Sequence, residues 1–364
     1  MLRTLRKNGA SSRLELGNRC RLSSGAVTRF GRELIDLGFV LEEMPKSSSG
    51  AGRPTQRLAL RGAVGAILGF AVHPGWIEAV SMDFQGTTLI ADRFPNDEPL
   101  SLTSAIQAMK DFIQTHRTQS GQPILGIGLA VPGYVTQGQQ KRQTVQGLEE
   151  WREIDLAQFF GPQLAFDVFV DNDASCNALA EYYAPETRGA EIVLAVTMGA
   201  GVGGGVAMHG RLLRGAHGNA GEIGWLFPYG VPRPSARDFF ESVRAEFGPT
   251  AKLADLVLED SQISQNMDAW CQRAADQLRL VIGPGGGWID PDHIVLCGPL
   301  PPTILTRTAN YLSTVRLFEP ETNIVRPIPK GSSLGAEGTA IGAALLPFQA
   351  LCAADTNIGQ ESIL

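Results

Sequence analysis

Asn172 and Asp173 stand where an apolar run, Val168 to Val170, meets a helix-forming segment, within VFVDNDASCNALAE at residues 168–181. A carboxylate at a helix N-terminus faces free N–H groups and the positive end of the helix dipole, which predicts that it stays ionised. An ionised carboxylate accepts strongly from a hydroxyl. The asparagine beside it offers one acceptor and two donors, suited to adjacent hydroxyls. The bland alternative is a helix cap with a structural role alone. Downstream, residues 189–224 read GAEIVLAVTMGAGVGGGVAMHGRLLRGAHGNAGEIG. This pattern predicts a strand, a glycine turn over Gly199 to Gly205, a second apolar run, and then a loop carrying Gly215, Gly218, Gly221, Glu222 and Gly224. Each glycine forfeits backbone entropy worth roughly 0.5–1 kcal/mol, so the run predicts a backbone that turns tightly and is approached closely. The two stretches together predict one cleft.

The elements that position such a cleft need a large chain. The sequence has 364 residues, 43% of them apolar, which is room for two or three domains with sizeable cores. Its five cysteines (Cys20, Cys176, Cys271, Cys297 and Cys352) are scattered and odd in number. That spacing argues for a reducing compartment and against a disulfide framework or a cysteine-rich metal site. No apolar run reaches the ~18–20 residues that span a bilayer, and no apolar stretch follows the basic N-terminus. The expectation is a soluble, cytoplasmic protein without membrane association.

The net charge of −6 conceals an asymmetry: residues 1–60 hold 11 Lys/Arg against 5 Asp/Glu, and residues 61–364 hold 20 against 32. A basic headpiece on an acidic body is the pattern of a nucleic-acid-binding module attached to a domain with another task. In the headpiece, residues 2–7 predict a first helix ending at Asn8-Gly9. Ser11 or Ser12 with Glu15 predicts a capping box, and Ser23 or Ser24 caps a further helix whose stripe is Val27, Phe30, Leu34, Ile35 and Leu37. Two helices joined by about four residues have helix-turn-helix geometry. Ser24, Thr28, Arg29 and Arg32 then lie near base edges or phosphates. Phe39 to Glu43 and Arg53 to Leu60, with a polar turn between, predict the wing of a winged helix, which would bring Arg53 and Arg57 to phosphates or a minor groove. An ordinary hairpin is the alternative.

MLRTLRKNGASSRLELGNRCRLSSGAVTRFGRELIDLGFV followed by GAGRPTQRLAL resembles the winged-helix headpiece of the repressor branch of the ROK (repressor, ORF, kinase) family. That family joins such a headpiece to a body shaped like a bacterial sugar kinase, and the resemblance covers nearly the whole chain. It implies that Asp173 corresponds to the base of the sugar kinases, that Asn172 and Glu222 are sugar contacts, and that Gly199 to Gly205 matches the second phosphate loop. Glu241, in Phe239-Phe240-Glu241, is a further sugar-contact candidate, three residues short of the family spacing. Gln146 stands near the position of a family asparagine. In the family's GExGH element this chain has Gly221-Glu222-Ile223-Gly224-Trp225, so a tryptophan, which stacks on sugar rings but ligates no metal, replaces a histidine.

Three further departures matter. The kinases' Asp-x-Gly-Gly-Thr phosphate loop is Ala71-Val72-His73-Pro74-Gly75 here, without the acid and with a proline that removes an N–H. A phosphate cradle depends on such donors. The glycine pair after Ile294 to Cys297 is Gly298-Pro299. The family's cysteine-rich zinc motif has no cysteine between Leu226 and Glu241, so zinc is expected to be absent, with Leu226, Phe227, Tyr229, Phe239 and Phe240 packing in its place and no other cofactor expected.

The expected fold is an N-terminal winged helix-turn-helix at 1–60 followed by an α/β two-lobed actin-like (sugar kinase-like) body, with lobes at 62–185 plus 336–350 and at 186–335. The expected function is a sequence-specific DNA-binding transcriptional regulator of carbohydrate metabolism, a repressor and homodimer, with double-stranded DNA and a sugar or sugar-phosphate effector as partners. It is not expected to be an enzyme. Two alternatives are an ATP-dependent sugar kinase and a ligand-blind DNA-binding dimer whose cleft Trp225 fills.

Overall fold

The short sequence signals of the headpiece become helix ends. A computed structural model describes residues 1–44, 56–136, 141–228, 230–248, 261–314 and 327–353, with the side chains of 261–264 excepted. Helix α1 (Leu2–Asn8) and the two-residue strand β1 (Ser11–Ser12) lead into α2 (Arg13–Cys20). Ser12 caps α2 in a reciprocal capping box with Glu15, which satisfies two otherwise orphaned N–H donors. Ser23 caps α3 (Ser24–Asp36) through the Ala26 N–H. Strands β2 (Val40–Glu43) and β3 (Arg57–Leu60) pair antiparallel, and β1 adds to β3, giving the order β1-β3-β2. Leu5, Leu16, Val27, Val40, Leu58 and Leu60 are buried together. Leu37, expected in that stripe, lies just past the last turn of α3 and is 63% exposed.

The first lobe is built on β4 (Ala66–His73), β5 (Trp76–Asp83) and β6 (Thr88–Pro95), then α4 (Leu102–Gln119), β7 (Ile124–Ala130), the hairpin β8 (Gly133–Val135) and β9 (Arg142–Thr144), α5 (Leu156–Leu164), β10 (Val168–Asp171) and α6 (Asp173–Tyr183). The sheet order is β10-β7-β4-β5-β6. Every residue of β4 is buried, as a strand covered on both faces requires. The second lobe holds β11 (Ile192–Met198), β12 (Val202–Met208), β13 (Arg211–Leu212), α7 (Ala236–Phe247), α8 (Ser261–Ile289), β14 (His293–Cys297), α9 (Pro302–Thr314) and β15 (Lys330–Gly331), with sheet order β13-β12-β11-β14-β15. Helix α10 (Gly338–Ala353) returns to the first lobe. Together with the turn before it, over Gly335–Ala353, it is long and apolar enough to cross a membrane by length and composition alone, but it packs on β4, β7 and α6 in the core.

Helix α6 lies between the lobes, and missing side chains make that possible. A Cβ on Gly205 of β12 would stand 2.4 Å from the Ala174 carbonyl oxygen, and one on Gly342 of α10 would stand 1.9 Å from that of Cys176. Both distances are far below any real contact, so one strand and one helix clamp α6 from opposite lobes. Gly203 to Gly205 are therefore strand residues and not part of a turn. None of the glycines from Gly199 to Gly205 has a left-handed φ.

The headpiece is fastened to the body by two buried cations of α1. Arg6 donates to the carbonyl oxygens of Phe84 (2.6 Å) and Asp83 (3.3 Å), reaches Met82 Sδ (3.0 Å) and lies over the Phe348 ring. Lys7 donates to the Tyr182 carbonyl at the end of α6 and to Thr187 O (2.7 Å), and sits over the Tyr182 ring. Burial lowers the Arg6 pKa to about 10 and that of Lys7 to about 8. The headpiece's positive charge is thus partly structural: Arg6 and Lys7 serve the joint, and Arg13 pairs with Glu42.

Candidate functional site

The β8–β9 hairpin gathers the site. Asn172 caps α6, its Oδ1 accepting from the N–H groups of Ala174 (2.7 Å) and Ser175 (3.4 Å), while its Nδ2 donates to Gly133 O at the start of β8 (2.7 Å). On the same hairpin, the Asn219 side chain accepts from the Val135 N–H (2.7 Å) and donates to the Val135 carbonyl (2.9 Å). That pairing draws the loop carrying Glu222 onto β8. Val135 pairs across the hairpin with Arg142. Asn172–Asp173, Glu222 and Arg142 therefore converge, on elements from three places in the chain.

Arg142 is buried, with its side chain 9% exposed. Its Nη2 lies 3.7 Å from Asp171 Oδ1, and Arg214 holds the other oxygen of that carboxylate at 2.6 Å. Nη1 of Arg142 is buried without a hydrogen-bond partner among the described residues. Its positive charge acts on both Asp173 and Glu222.

Asp173 is the first residue of α6, and Asn172 is the cap. The helix N-terminus is not what dominates here: desolvation pushes the Asp173 pKa up, against opposing pulls from His73, the Ala174 N–H and Arg142. The magnitudes explain the outcome, since a helix dipole is worth about 1 kcal/mol at most exposed sites, whereas burial shifts a pKa by up to ~3–5 units. Glu222 is raised as well, first by burial and then by the Asp173 charge. Gly199 borders Asp173, since a Cβ there would stand 3.4 Å from Asp173 Oδ2.

Trp225 is 63% exposed and stands edge-on to Tyr134, with centroids 5.6 Å apart. It does not fill the cleft. Glu241, exposed on α7, lines a cavity of about 260 Å³ with His73, Trp76, Gln146, Gly199, Arg237 and Phe240. Arg237 crosses that cavity from the second lobe to Gln146 Oε1 (3.0 Å) and Glu98 (3.5 Å) of the first.

At the first turn of the body, His73 Nε2 lies 3.1 Å from Glu78 Oε2, and its ring stacks on Trp76 with centroids 4.6 Å apart. Trp76 Nε1 donates to the other Glu78 oxygen at 3.1 Å. Between 226 and 241, Phe227 and Phe239 are buried and Asp238 accepts from Trp270 Nε1 (2.7 Å) and Arg273 (2.6 Å). Leu226, expected to pack there, is 62% exposed, and Tyr229 lies outside the described residues. Among the described residues no cluster of three or more His, Cys, Asp or Glu is placed to hold a metal. Residues 226–241 contribute no thiolate, so they do not fit a zinc site.

On α3, Ser24, Thr28, Arg29 and Arg32 are all exposed, with Arg29 resting over Phe30 at 4.9 Å. Arg57 is exposed, 3.7 Å from Glu15 and donating to Ala10 O. Arg53 lies outside the described residues. Sequence reasoning missed Arg142 and Asn219. Asn219, three residues before Glu222 in a glycine-rich loop, carried a turn signal, whereas nothing distinguished Arg142 from the polar residues around it.

A two-lobed α/β body of the actin-like sugar-kinase type, preceded by a helical headpiece, defines the class of the molecule. The ROK family model matches residues 76–233. The chain is 28% identical to the protein y4fQ of Sinorhizobium fredii over 348 residues, covering 94% of this chain and 88% of that one. It is 28% identical to the xylose repressor of Bacillus subtilis over 230 residues, covering 62% of this chain and only 59% of the repressor's length. Its fold matches a ROK family transcriptional regulator homologous to the Escherichia coli MLC protein (TM-score 0.66, 18% identity, 96% of this chain and 94% of that one). It also matches a ROK family glucokinase from Streptomyces griseus solved with glucose and AMPPNP (TM-score 0.58, 20% identity, 78% of this chain and all of that one). The chain is a relative of the ROK transcriptional regulators and sugar kinases.

Proposed function

We propose that the protein is a sequence-specific DNA-binding transcriptional regulator of carbohydrate metabolism, a repressor acting as a dimer in the cytoplasm, whose interlobe cleft binds a sugar effector. The observation that carries this reading is the exposed face of α3. Ser24, Thr28 and Arg32 follow one another at four-residue spacing with Arg29 beside them, on the capped second helix of a helix-turn-helix. Thirteen residues make a helix of about 20 Å, long enough to lie in a major groove. Support also comes from the fold match to a regulator over 96% of the chain, against 78% for the glucokinase.

The test uses a duplex selected by the full-length protein from a random library. Arg29→Ala should weaken binding about 10- to 100-fold, as loss of a base contact does, with the fold unchanged by circular dichroism. Undiminished binding would sink the assignment of α3. The kinase reading rests on Asp173. Against it, His73 stacks on Trp76 and Pro74 offers no N–H at the turn where a kinase wraps phosphate. A coupled assay of ATP consumption over a panel of sugars separates the two, because sugar-dependent turnover would restore the kinase reading.

A further inference from the structure

We propose that Arg142 determines specificity in the effector site, donating from Nη1 to a hydroxyl oxygen of an uncharged polyhydroxylated ligand that Asp173 and Glu222 hold from the other side. This rests on the reading of the cleft as a sugar sensor and goes beyond it by fixing the ligand's charge. The geometry starts from the hairpin. Gly133 holds Asn172 and Val135 holds Asn219, so the strand opposite Val135 delivers Arg142 to the point where Asp173 and Glu222 meet. An orphaned N–H on a buried guanidinium is a costly defect. It is relieved when a ligand brings the missing acceptor.

What the ligand must be follows from the donors and acceptors present. Arg142 offers donors only, and ionised carboxylates offer acceptors only. A hydroxyl is both, so it can receive from Arg142 while giving to a carboxylate. An ionised phosphate or carboxylate on the ligand would satisfy Arg142 but has no hydrogen to give to Asp173 or Glu222. The Arg142 charge is moreover already engaged, since Asp171 faces Arg142 on one oxygen and Arg214 on the other. Among the described residues, Arg142 is the one cation whose charge acts on both carboxyls.

The experiment is calorimetric titration of the full-length protein, and of Arg142→Met and Arg142→Lys, with aldopentoses and aldohexoses, their aldonic acids and their phosphates. The expected result is that an uncharged sugar binds wild type more tightly than its acid or phosphate. Arg142→Met should lose about 10- to 100-fold in affinity, as removal of one charge-assisted hydrogen bond does. Arg142→Lys, which keeps the charge but loses the fork, should fall between. Equal affinity in wild type and both variants would overturn the proposal while leaving a sugar sensor. Tighter binding of an acid or phosphate would overturn it too. If wild type binds no member of the panel, the sensing reading fails and the proposal with it. Arg142→Lys guards against a misfolded Arg142→Met, and thermal unfolding of each variant is the control.

Discussion

Arg6 and Arg142 are both guanidinium groups withdrawn from water, and the protein treats them differently. Arg6, at the joint between headpiece and body, meets two carbonyl oxygens, a sulfur and an aromatic face. Arg142, at the cleft, meets one carboxylate at 3.7 Å and leaves Nη1 without a partner among the described residues. Folding tolerates a buried charge when its hydrogen bonds are made. A joint must be complete in the protein alone, whereas a binding site is complete only with its ligand. On the proposal that a ligand completes Arg142, the two arginines contrast a structural cation with a functional one.

The largest effect expected from this contrast is at the joint. Arg6→Met keeps bulk and apolar packing but takes the donor from the Phe84 carbonyl and one of two donors from that of Asp83, which keeps the Gly86 N–H. A buried acceptor left unsatisfied costs about 1–3 kcal/mol and a further lost hydrogen bond about 1, so urea unfolding should report a loss of about 2–4 kcal/mol, or a separate early transition of the headpiece. A loss below about 1 kcal/mol would mean that the joint does not depend on Arg6, and the contrast would fail at its structural end.

An intermediate case sits on α6. Glu181 is 3% exposed and receives a hydrogen bond from Ser332. Burial raises its pKa from 4.5 to about 7, with the Ser332 bond opposing. The folded state then binds the proton more tightly than the unfolded chain. Its contribution to stability is full below pH 4.5 and is lost as pH rises to about 7. Glu181→Gln should flatten that slope and add about 2–3 kcal/mol above pH 7, read from urea midpoints between pH 5 and 8. A variant whose pH profile tracks wild type would show that Glu181 is well served as a carboxylate and belongs with Arg6.

How much of this was legible in the sequence depended on the range of the interaction that decides it. The Ser12–Glu15 box and the Ser23 cap are local, and both were readable as serines ahead of an apolar period. Asp173 and Glu222 were readable as motif positions, but the upward pull of burial on the Asp173 pKa was not, because burial is set by the packing of elements far apart in the chain. Gly203 and Gly205 were misread as turn residues for the same reason. A turn glycine answers to its own φ, whereas these answer to the approach of Ala174 from another element. Arg142 was invisible because only the β8–β9 register and two asparagine clamps carry it to the carboxyls.

The smallest predicted effect is also the sharpest, because it repeats one substitution at the other site. Arg142→Met removes a guanidinium whose Nη1 makes no hydrogen bond among the described residues. Asp171, the partner it faces, keeps Arg214 at 2.6 Å and the backbone N–H of Asn172 at 2.8 Å. No buried carboxylate is therefore stranded, and replacing an incompletely satisfied buried charge by an apolar side chain is often neutral or stabilising. The expected change in unfolding free energy is within about 1 kcal/mol of zero, against the roughly 2–4 kcal/mol lost at Arg6. If Arg142→Met instead costs as much as Arg6→Met, Arg142 is a structural cation whose work is to hold Asp171. Small cost to folding with large cost to ligand is the combination that only a residue completed by its ligand can give.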